Sequence, residues 1–86
     1  MFKIQFSKRA VKELKKLPKT QQRKISTRIE KLMNNPYPSN AKKLIGETDL
    51  FRIRVADYRI IYQIKGKILT ILILKIGHRK DIYKKL

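Results

Sequence analysis

Two neighbouring segments near the C-terminus constrain the fold more than any other feature. In residues 51–55 and again in 58–64, large apolar side chains occupy every second position, and only Ala56 and Asp57 separate the segments. Such alternation predicts β-strands, and a two-residue break between strands predicts a tight hairpin. Residues 68–76 follow a turn at Lys65-Gly66, are apolar on both faces and are expected to form a central strand that ends at Gly77. The last third is therefore predicted to be a three-stranded antiparallel meander.

The two-residue turn also predicts which side chains face each other. It pairs Val55 with Tyr58, Arg54 with Arg59 and Arg52 with Ile61. The apolar members then share one face, which is the expected core layer: Phe51, Ile53, Val55, Tyr58, Ile60 and Tyr62. Arg52, Arg54 and Arg59 share the other face, where directly opposed like charges destabilise a sheet. Because a guanidinium grips phosphate bidentately, we interpret this face as an anion site. The alternative is a solvated basic face.

The first half of the chain predicts one strand and two helices. Residues 2–6 alternate as a short strand, Ser7 is the expected cap of the first helix, and Pro18 is expected either to end that helix or to open the next one. Thr20 is expected to cap the second helix, which ends at Asn34. The apolar helical faces comprise Ala10, Val11, Leu14 and Leu17, and then Ile25, Ile29, Leu32 and Met33. The short link predicts an antiparallel helix hairpin. Residues 34–49 are expected to be mostly loop, anchored by Leu44 and Ile45 before Gly46.

Length and composition limit the chemistry. Eighty-six residues fit a single α+β domain that spans residues 1–86. The absence of cysteine excludes disulfides, thiolate metal sites and thiol catalysis, and it suits a reducing compartment. One histidine and six scattered carboxylates make a dedicated metal site improbable. We therefore expect neither a metal nor a cofactor.

The charge points to a polyanionic partner. There are 23 lysines and arginines against six acids, which gives a net charge of +17. Such a surface attracts nucleic acid, an acidic membrane surface or an acidic protein. The run from Ile68 to Leu74 is shorter than the ~20 residues of a membrane helix, and the N-terminus does not resemble a signal peptide. A cytoplasmic protein with no membrane association is expected. Several lysines are interpreted as facing solvent and as helping to hold RNA without selecting its sequence: Lys8, Lys12, Lys15, Lys16, Lys84 and Lys85.

The residues after Gly77 form a short basic tail that carries groups able to transfer protons. His78 is a natural proton-transfer group near neutral pH, and Tyr83 can exchange a proton when cations lower its pKa. In a helical tail, Arg79 and Tyr83 would share one face. Cations, a base and an acid suffice for RNA cleavage by the 2′-hydroxyl. The alternative is that Tyr83 only packs and that His78 only faces solvent.

These motifs resemble the RelE-type toxins of the RelE/ParE toxin–antitoxin superfamily over nearly the whole chain. The shared stretches are Leu17-Pro18-Lys19, Lys43-Leu44-Ile45-Gly46, the hairpin of residues 51–62 and the ending Gly77-His78-Arg79-Lys80-Asp81-Ile82-Tyr83. The resemblance implies a RelE-like, microbial-RNase-like fold and a ribosome-dependent endoribonuclease that cleaves mRNA in the A site. It also implies a cognate acidic antitoxin, with the toxin alone monomeric and forming a hetero-oligomer with that antitoxin.

The resemblance also implies roles for particular residues. By position, Arg54 and Arg59 match phosphate-contacting sheet residues, Arg79 matches the transition-state arginine and Tyr83 matches the catalytic tyrosine. Because arginine cannot carry the proton, the general base or acid must come from His78 or Tyr83, or from the substrate and the ribosome. The surrounding basic residues are expected to bind RNA: Arg52, Lys75, Lys80 and Lys84.

Two other functions fit the same sequence. A ParE-like protein would share the fold but poison DNA gyrase instead of cleaving RNA, and the presence of Arg79 and Tyr83 favours the nuclease. A non-catalytic RNA-binding module is the other alternative. Double-stranded RNA-binding domains place three strands between two helices, whereas both helices here precede the meander.

Overall fold

The computed structural model describes residues 1–44 and 49–78. Two helices and five strands follow in the chain order β1 (Lys3–Phe6), α1 (Lys8–Lys15), α2 (Lys19–Leu32), β2 (Lys42–Lys43), β3 (Leu50–Val55), β4 (Tyr58–Lys65) and β5 (Thr70–His78). The strands form one mixed sheet in the spatial order β1-β5-β4-β3-β2. This α+β architecture confirms the predicted fold class.

The β3–β4 hairpin has the predicted register. Val55 pairs with Tyr58, Arg54 with Arg59 and Arg52 with Ile61. Ala56 takes a positive φ of 54° at the first turn position, which a hairpin this tight demands of one or both central residues. The core face is confirmed, since four of its residues are buried and two are half-buried against the core: Ile53, Val55, Ile60 and Tyr62, and then Phe51 and Tyr58.

Both helices contribute to this core. In α1, Ala10 is fully buried, and Ser7 accepts a hydrogen bond from the Ala10 amide at 3.0 Å, which confirms Ser7 as the cap. In α2 the buried stripe is Ile25, Ile29 and Leu32, while Met33 is half-buried at the C-terminal cap. Neither helix of the described residues is both long and apolar enough for a membrane crossing.

The prediction that Thr20 caps α2 is wrong. The cap is Pro18, whose carbonyl accepts the amides of Gln21 and Gln22 at 3.0 Å. Proline has a fixed φ and no amide to satisfy, so a helix can begin immediately after it. Thr20 therefore lies inside the first turn of α2.

The position of the N-terminal strand in the sheet could not be predicted from sequence periodicity. β1 runs parallel to β5, with Ile4 opposite Ile71 and Phe6 opposite Ile73. Beyond Phe6, two side chains form hydrogen bonds with the edge of β5. The Ser7 hydroxyl donates to the Leu74 carbonyl at 2.9 Å, and the Glu13 carboxylate accepts a hydrogen bond from the Ile76 amide at 2.9 Å. These contacts fix α1 against β5.

Three boundaries differ from the sequence predictions. The predicted loop contains the short strand β2, which pairs with β3. The turn after Lys65 spans residues 66–69 as a 3-10 turn, with Leu69 at φ 47°, so β5 begins at Thr70 rather than at Ile68. Gly77 does not end the strand, because β5 continues to His78. Leu44 is half-buried and its amide donates to the Leu50 carbonyl, whereas Ile45 and Gly46 lie outside the described residues.

Tyr62 anchors the segment after α2 to the sheet. Its side chain is 0% exposed, its hydroxyl donates to the Pro36 carbonyl at 2.9 Å, and its ring stacks on Phe51 with centroids 5.9 Å apart. Phe51 in turn meets the edge of Tyr37. Burial, and to a lesser extent the Tyr37 phenol, raises the pKa of Tyr62 to about 12.

This raised pKa predicts a specific alkaline effect on stability. The unfolded tyrosine loses its proton near pH ~10, whereas the folded one keeps it to about 12, so the contribution is complete below pH ~10 and is lost above it. At neutral pH, Tyr62→Phe should cost about 1–3 kcal/mol, because the buried Pro36 carbonyl loses its donor. Between pH 10 and 12, urea denaturation should show the wild-type advantage shrinking. Parallel stability curves for the two proteins would contradict this assignment.

Candidate functional site

Three arginines on the hairpin form a compact cluster, which we call the arginine cluster: Arg52, Arg54 and Arg59. Arg54 and Arg59 are direct cross-strand partners, and Arg52 lies two residues before Arg54 on the same face of β3. On the outer side of β3, Arg52 pairs with Lys42 of β2. The structure thus brings together the residues that the sequence predicted for anion binding.

The guanidinium groups of the opposed pair differ in their surroundings. Arg54 is exposed, and its Nε donates to the carbonyl of Ala56 at 2.9 Å, so the tight turn itself orients this side chain. Arg59 is half-buried, and its buried Nε has no hydrogen-bond acceptor among the described residues. Leaving a buried donor unsatisfied costs about 1–3 kcal/mol, and more for a charged group. An anion between the two arginines would supply acceptors and relieve their mutual repulsion.

A pocket of about 220 Å³ lies over this cluster. Asn40 and Lys42 line it together with the three arginines, and none of the described residues that line it is a carboxylate. Asn40 and Lys42 were not predicted as site residues, because a strand of only two residues leaves no periodic pattern in the sequence. The register of Lys42 against Arg52 becomes visible only in the folded sheet. A pocket with four cations and one amide is suited to phosphate.

Lys75 is placed differently from its predicted role in surface RNA binding. It is the cross-strand partner of Ile61, and the two residues are 4% and 0% exposed. The side chain of Lys75 is therefore buried and does not project from the protein surface toward an RNA strand. Ile61 pairs with Lys75 on β5 and with Arg52 on β3. Lys75 therefore lies two strands away from Arg52 of the arginine cluster.

His78 lies on the other face of the hairpin. It is the cross-strand partner of Tyr58, and the two rings meet edge to face with centroids 6.0 Å apart. Tyr58 packs on the hydrophobic core, whereas the neighbouring Arg59 points to the arginine cluster. The structure does not bring His78 into that cluster. The remaining predicted site residues lie outside the described part of the chain: Arg79, Lys80, Tyr83 and Lys84.

Among residues 1–44 and 49–78, no three histidine, cysteine or carboxylate side chains come close enough to hold a metal ion. One acidic group near the sheet, the Glu13 carboxylate, accepts a hydrogen bond from the Ile76 amide and forms a salt bridge with Arg9, whose Nε lies 3.3 Å from Glu13 Oε2. The arginine cluster is therefore dominated by positive charge, with hydrogen-bond donors and few acceptors.

Comparison with known proteins identifies relatives along the whole chain. Residues 4–83 match the family described as the ParE toxin of the type II toxin–antitoxin system parDE. Toxin RelE3 of Methanocaldococcus jannaschii is 36% identical over 85 residues, which is 94% of each chain. The mRNA interferase toxin RelE of Escherichia coli is 27% identical over 79 residues, covering 90% of this chain and 82% of the relative.

Solved structures agree with these matches. The archaeal RelE–RelB complex from Pyrococcus horikoshii contains a chain that is 34% identical, with a TM-score of 0.82 and coverage of 93% of this chain and 97% of that one. The intact RelBE toxin–antitoxin complex of E. coli contains one with 25% identity and a TM-score of 0.81, covering 91% and 96%. The match in sequence family, fold and hairpin shows that the chain belongs to the RelE/ParE superfamily and is a RelE-type toxin of a type II toxin–antitoxin system.

Proposed function

We propose that this toxin is an endoribonuclease that cleaves mRNA in the ribosomal A site and thereby inhibits translation. The observation that carries the proposal is the opposed pair Arg54 and Arg59, with the buried Nε of Arg59 lacking an acceptor in the described structure and an open pocket above it. The E. coli relative named an mRNA interferase supports the reaction class. Dependence on the ribosome rests on the resemblance to RelE-type toxins.

The proposed reaction needs no metal ion. The 2′-hydroxyl of the scissile nucleotide attacks the adjacent phosphorus, a base takes its proton, and the bond from phosphorus to the 5′-oxygen breaks. The leaving oxygen gains a proton, and the products are a 2′,3′-cyclic phosphate and a 5′-hydroxyl. Arg54, Arg59 and Arg79 would stabilise the negative charge that develops on the phosphoryl oxygens. Arg52 and Lys42 would hold the flanking backbone.

The general base is proposed to be Tyr83 rather than His78. The histidine ring packs against Tyr58 on the core side of the hairpin, away from the arginine cluster. Nearby guanidinium groups lower the pKa of a phenol, which would help Tyr83 accept a proton. The leaving oxygen would then receive its proton from the ribosome or from solvent.

A cognate antitoxin is the proposed protein partner. The relatives from P. horikoshii and E. coli were solved as complexes of RelE with RelB and as RelBE. A protein of charge +17 favours an acidic antitoxin, since opposite charge speeds encounter while apolar burial provides affinity. We propose that such an antitoxin covers the arginine cluster or displaces the C-terminal tail, with the free toxin monomeric and the pair a hetero-oligomer.

The second candidate is a gyrase poison, because the matched family is described by its ParE member. The arginine cluster favours the nuclease, since a poison of gyrase has no need for a pocket that binds a scissile phosphate. The two functions separate in one assay of mRNA cleavage on programmed ribosomes. The mutants below are therefore read out as cleavage as well as growth arrest.

Replacing the buried arginine should separate activity from folding. Arg59→Ala is expected to lower single-turnover cleavage on programmed ribosomes by ~10²–10³-fold, the usual loss for one electrostatic donor. Its melting temperature should be unchanged or higher, because repulsion with Arg54 is relieved. Arg9→Ala is the matched control, since it removes one positive charge from α1 away from the cluster. A folded Arg59→Ala protein with full activity would remove the cluster from the active site.

The identity of the nucleophile is tested on the substrate. An mRNA with a 2′-deoxy nucleotide at the scissile position should bind programmed ribosomes normally and resist cleavage, because the attacking oxygen is missing. The all-ribose mRNA should be cut equally well after EDTA is added at a level that leaves the ribosomes intact. Cleavage of the deoxy substrate, or loss of cleavage with EDTA, would contradict the proposed chemistry.

The choice of base predicts unequal effects of two conservative variants. Tyr83→Phe keeps the ring for stacking but removes the exchangeable proton, so single-turnover cleavage should fall by ~10²–10⁴-fold. His78→Gln should change the rate much less, since its ring contacts Tyr58 rather than the arginine cluster. A slower His78→Gln enzyme with near-normal Tyr83→Phe activity would reverse the assignment.

A further inference from the structure

One flank of α2 is strongly cationic. With about 3.6 residues per turn, Lys24, Arg28 and Lys31 lie on the same side of the buried stripe of Ile25, Ile29 and Leu32. The opposite flank carries Gln22, Ser26 and Glu30. Like charges three or four residues apart on a helix repel each other and destabilise it. The three cations are therefore concentrated on one side of α2 at a cost to the helix.

This cationic flank borders two grooves along the junction of α2 and β3, which we call the α2–β3 seam. The first groove has a volume of about 350 Å³, runs beside Ile53 and includes Arg28, Lys31 and Asn40. The second has a volume of about 410 Å³, lies beside Val55 and shares Arg28 with the first. Asn40 also lines the pocket over the arginine cluster. The first groove of the seam and the pocket over the cluster therefore adjoin at Asn40.

Strand β2 is short. It pairs with β3 only at Phe51 and Arg52, so no strand of the described residues covers the outer edge of β3 beyond Arg52. At that edge a chain bound over the cluster on one face can pass to the α2 side of the sheet.

We propose that the α2–β3 seam binds the phosphate backbone of RNA that continues from the arginine cluster. This inference rests on the proposed function, since the cluster is taken to hold the scissile phosphate. Lys24, Arg28 and Lys31 project about one helical turn apart, and each offers a contact to one phosphate. Asn35, Ser39 and Asn40 add polar groups along the first groove.

RNA suits the seam better than an acidic protein segment does. The apolar residues beneath the seam are already buried, since Leu32 is 1%, Ile53 1% and Val55 7% exposed. The large apolar side chains that line the grooves are therefore not free for a protein helix to cover, and burial of apolar side chains supplies most of the affinity between proteins. A polyanionic backbone needs only the cations and hydrogen-bonding groups at the rim.

The test compares two triple variants of equal charge in the full chain. The seam variant carries Lys24→Gln, Arg28→Gln and Lys31→Gln. The control carries Lys8→Gln, Lys12→Gln and Lys15→Gln, which removes three exposed charges from α1. Binding of a labelled single-stranded RNA is measured by fluorescence anisotropy against salt concentration. The seam variant should lose at least ~10-fold in affinity relative to the control, and its salt slope should fall by about 2, as three lost contacts of ~0.7 each predict.

Two further probes identify the source of the RNA. A trinucleotide too short to leave the arginine cluster should bind both triple variants equally. If the seam holds mRNA, the difference appears with the long oligonucleotide; if it holds ribosomal RNA, the difference appears in co-sedimentation with ribosomes that lack mRNA. Either result supports an RNA backbone in the seam. Equal binding by both variants in both assays would overturn it, as would a selective loss of binding to a glutamate-rich peptide.

Single substitutions keep the test valid if a triple variant fails to fold. Asn40→Asp places a negative charge where the seam meets the cluster, and Asn34→Asp makes the same change at an exposed position that lines neither groove. Asn40→Asp should weaken binding of the long RNA several-fold more than Asn34→Asp, and equal effects would count against the seam. Arg59→Ala in the same series separates the two proposals. If it abolishes cleavage while the seam variant matches its control, only the seam proposal fails.

Discussion

The pairing register of β3 with β4 is the constraint on which the rest of the structure depends. Side chains alternate across a strand, so the register that faces Ile53 and Ile60 into the core also brings Arg54 opposite Arg59 on the other face. Burying one large aliphatic side chain contributes about 1.5–3 kcal/mol, whereas a like-charge pair costs under about 1 kcal/mol. The core therefore decides the register, and the repelling arginines are held in place by it.

The register also fixes the position of the arginine pair. A slip by one residue would move every arginine of the hairpin into the core, so the pair cannot separate by sliding. The turn adds a second restraint, because the Ala56 carbonyl accepts a hydrogen bond from Arg54. Catalytic groups on a rigid sheet need little reorganisation when charge develops on the substrate. The strain of a positive φ at Ala56 is thus located beside a residue that it orients.

β5 joins the hairpin to the rest of the molecule. Its first half is flanked by β1 and β4, and beyond Phe6 the hydroxyl of Ser7 and the carboxylate of Glu13 take over the hydrogen bonds of the missing strand. One serine therefore ends β1, caps α1 and bonds to β5. These polar contacts act together with the burial of Ala10 in the core to hold α1 against β5.

How much the sequence could predict follows from the range of each interaction. The hairpin register, the core face and the Ser7 cap depend on neighbours within a few residues, and all three are confirmed. The parallel pairing of β1 with β5 joins residues far apart in sequence, and periodicity contains no information about it. The contact of His78 with Tyr58 was equally unpredictable from the sequence, because it requires β5 to continue through Gly77. Asn40 and Lys42 were missed because their position depends on a two-residue strand.

Local clustering of charge, rather than the net charge of +17, separates the functional surfaces from the solvated ones. Exposed charges are screened beyond about 10 Å at 0.1 M salt, so the lysines of α1 scarcely interact with those on the far side of the molecule. The cations of the arginine cluster and of the α2 flank are within that range of their neighbours on the same strand pair or helix turn. They repel one another in the free protein, and each phosphate that binds between them removes that repulsion. In the proposed RNA complex, the bound polyanion and the folded toxin would therefore stabilise each other, with Asn40 lying where the two cationic surfaces meet.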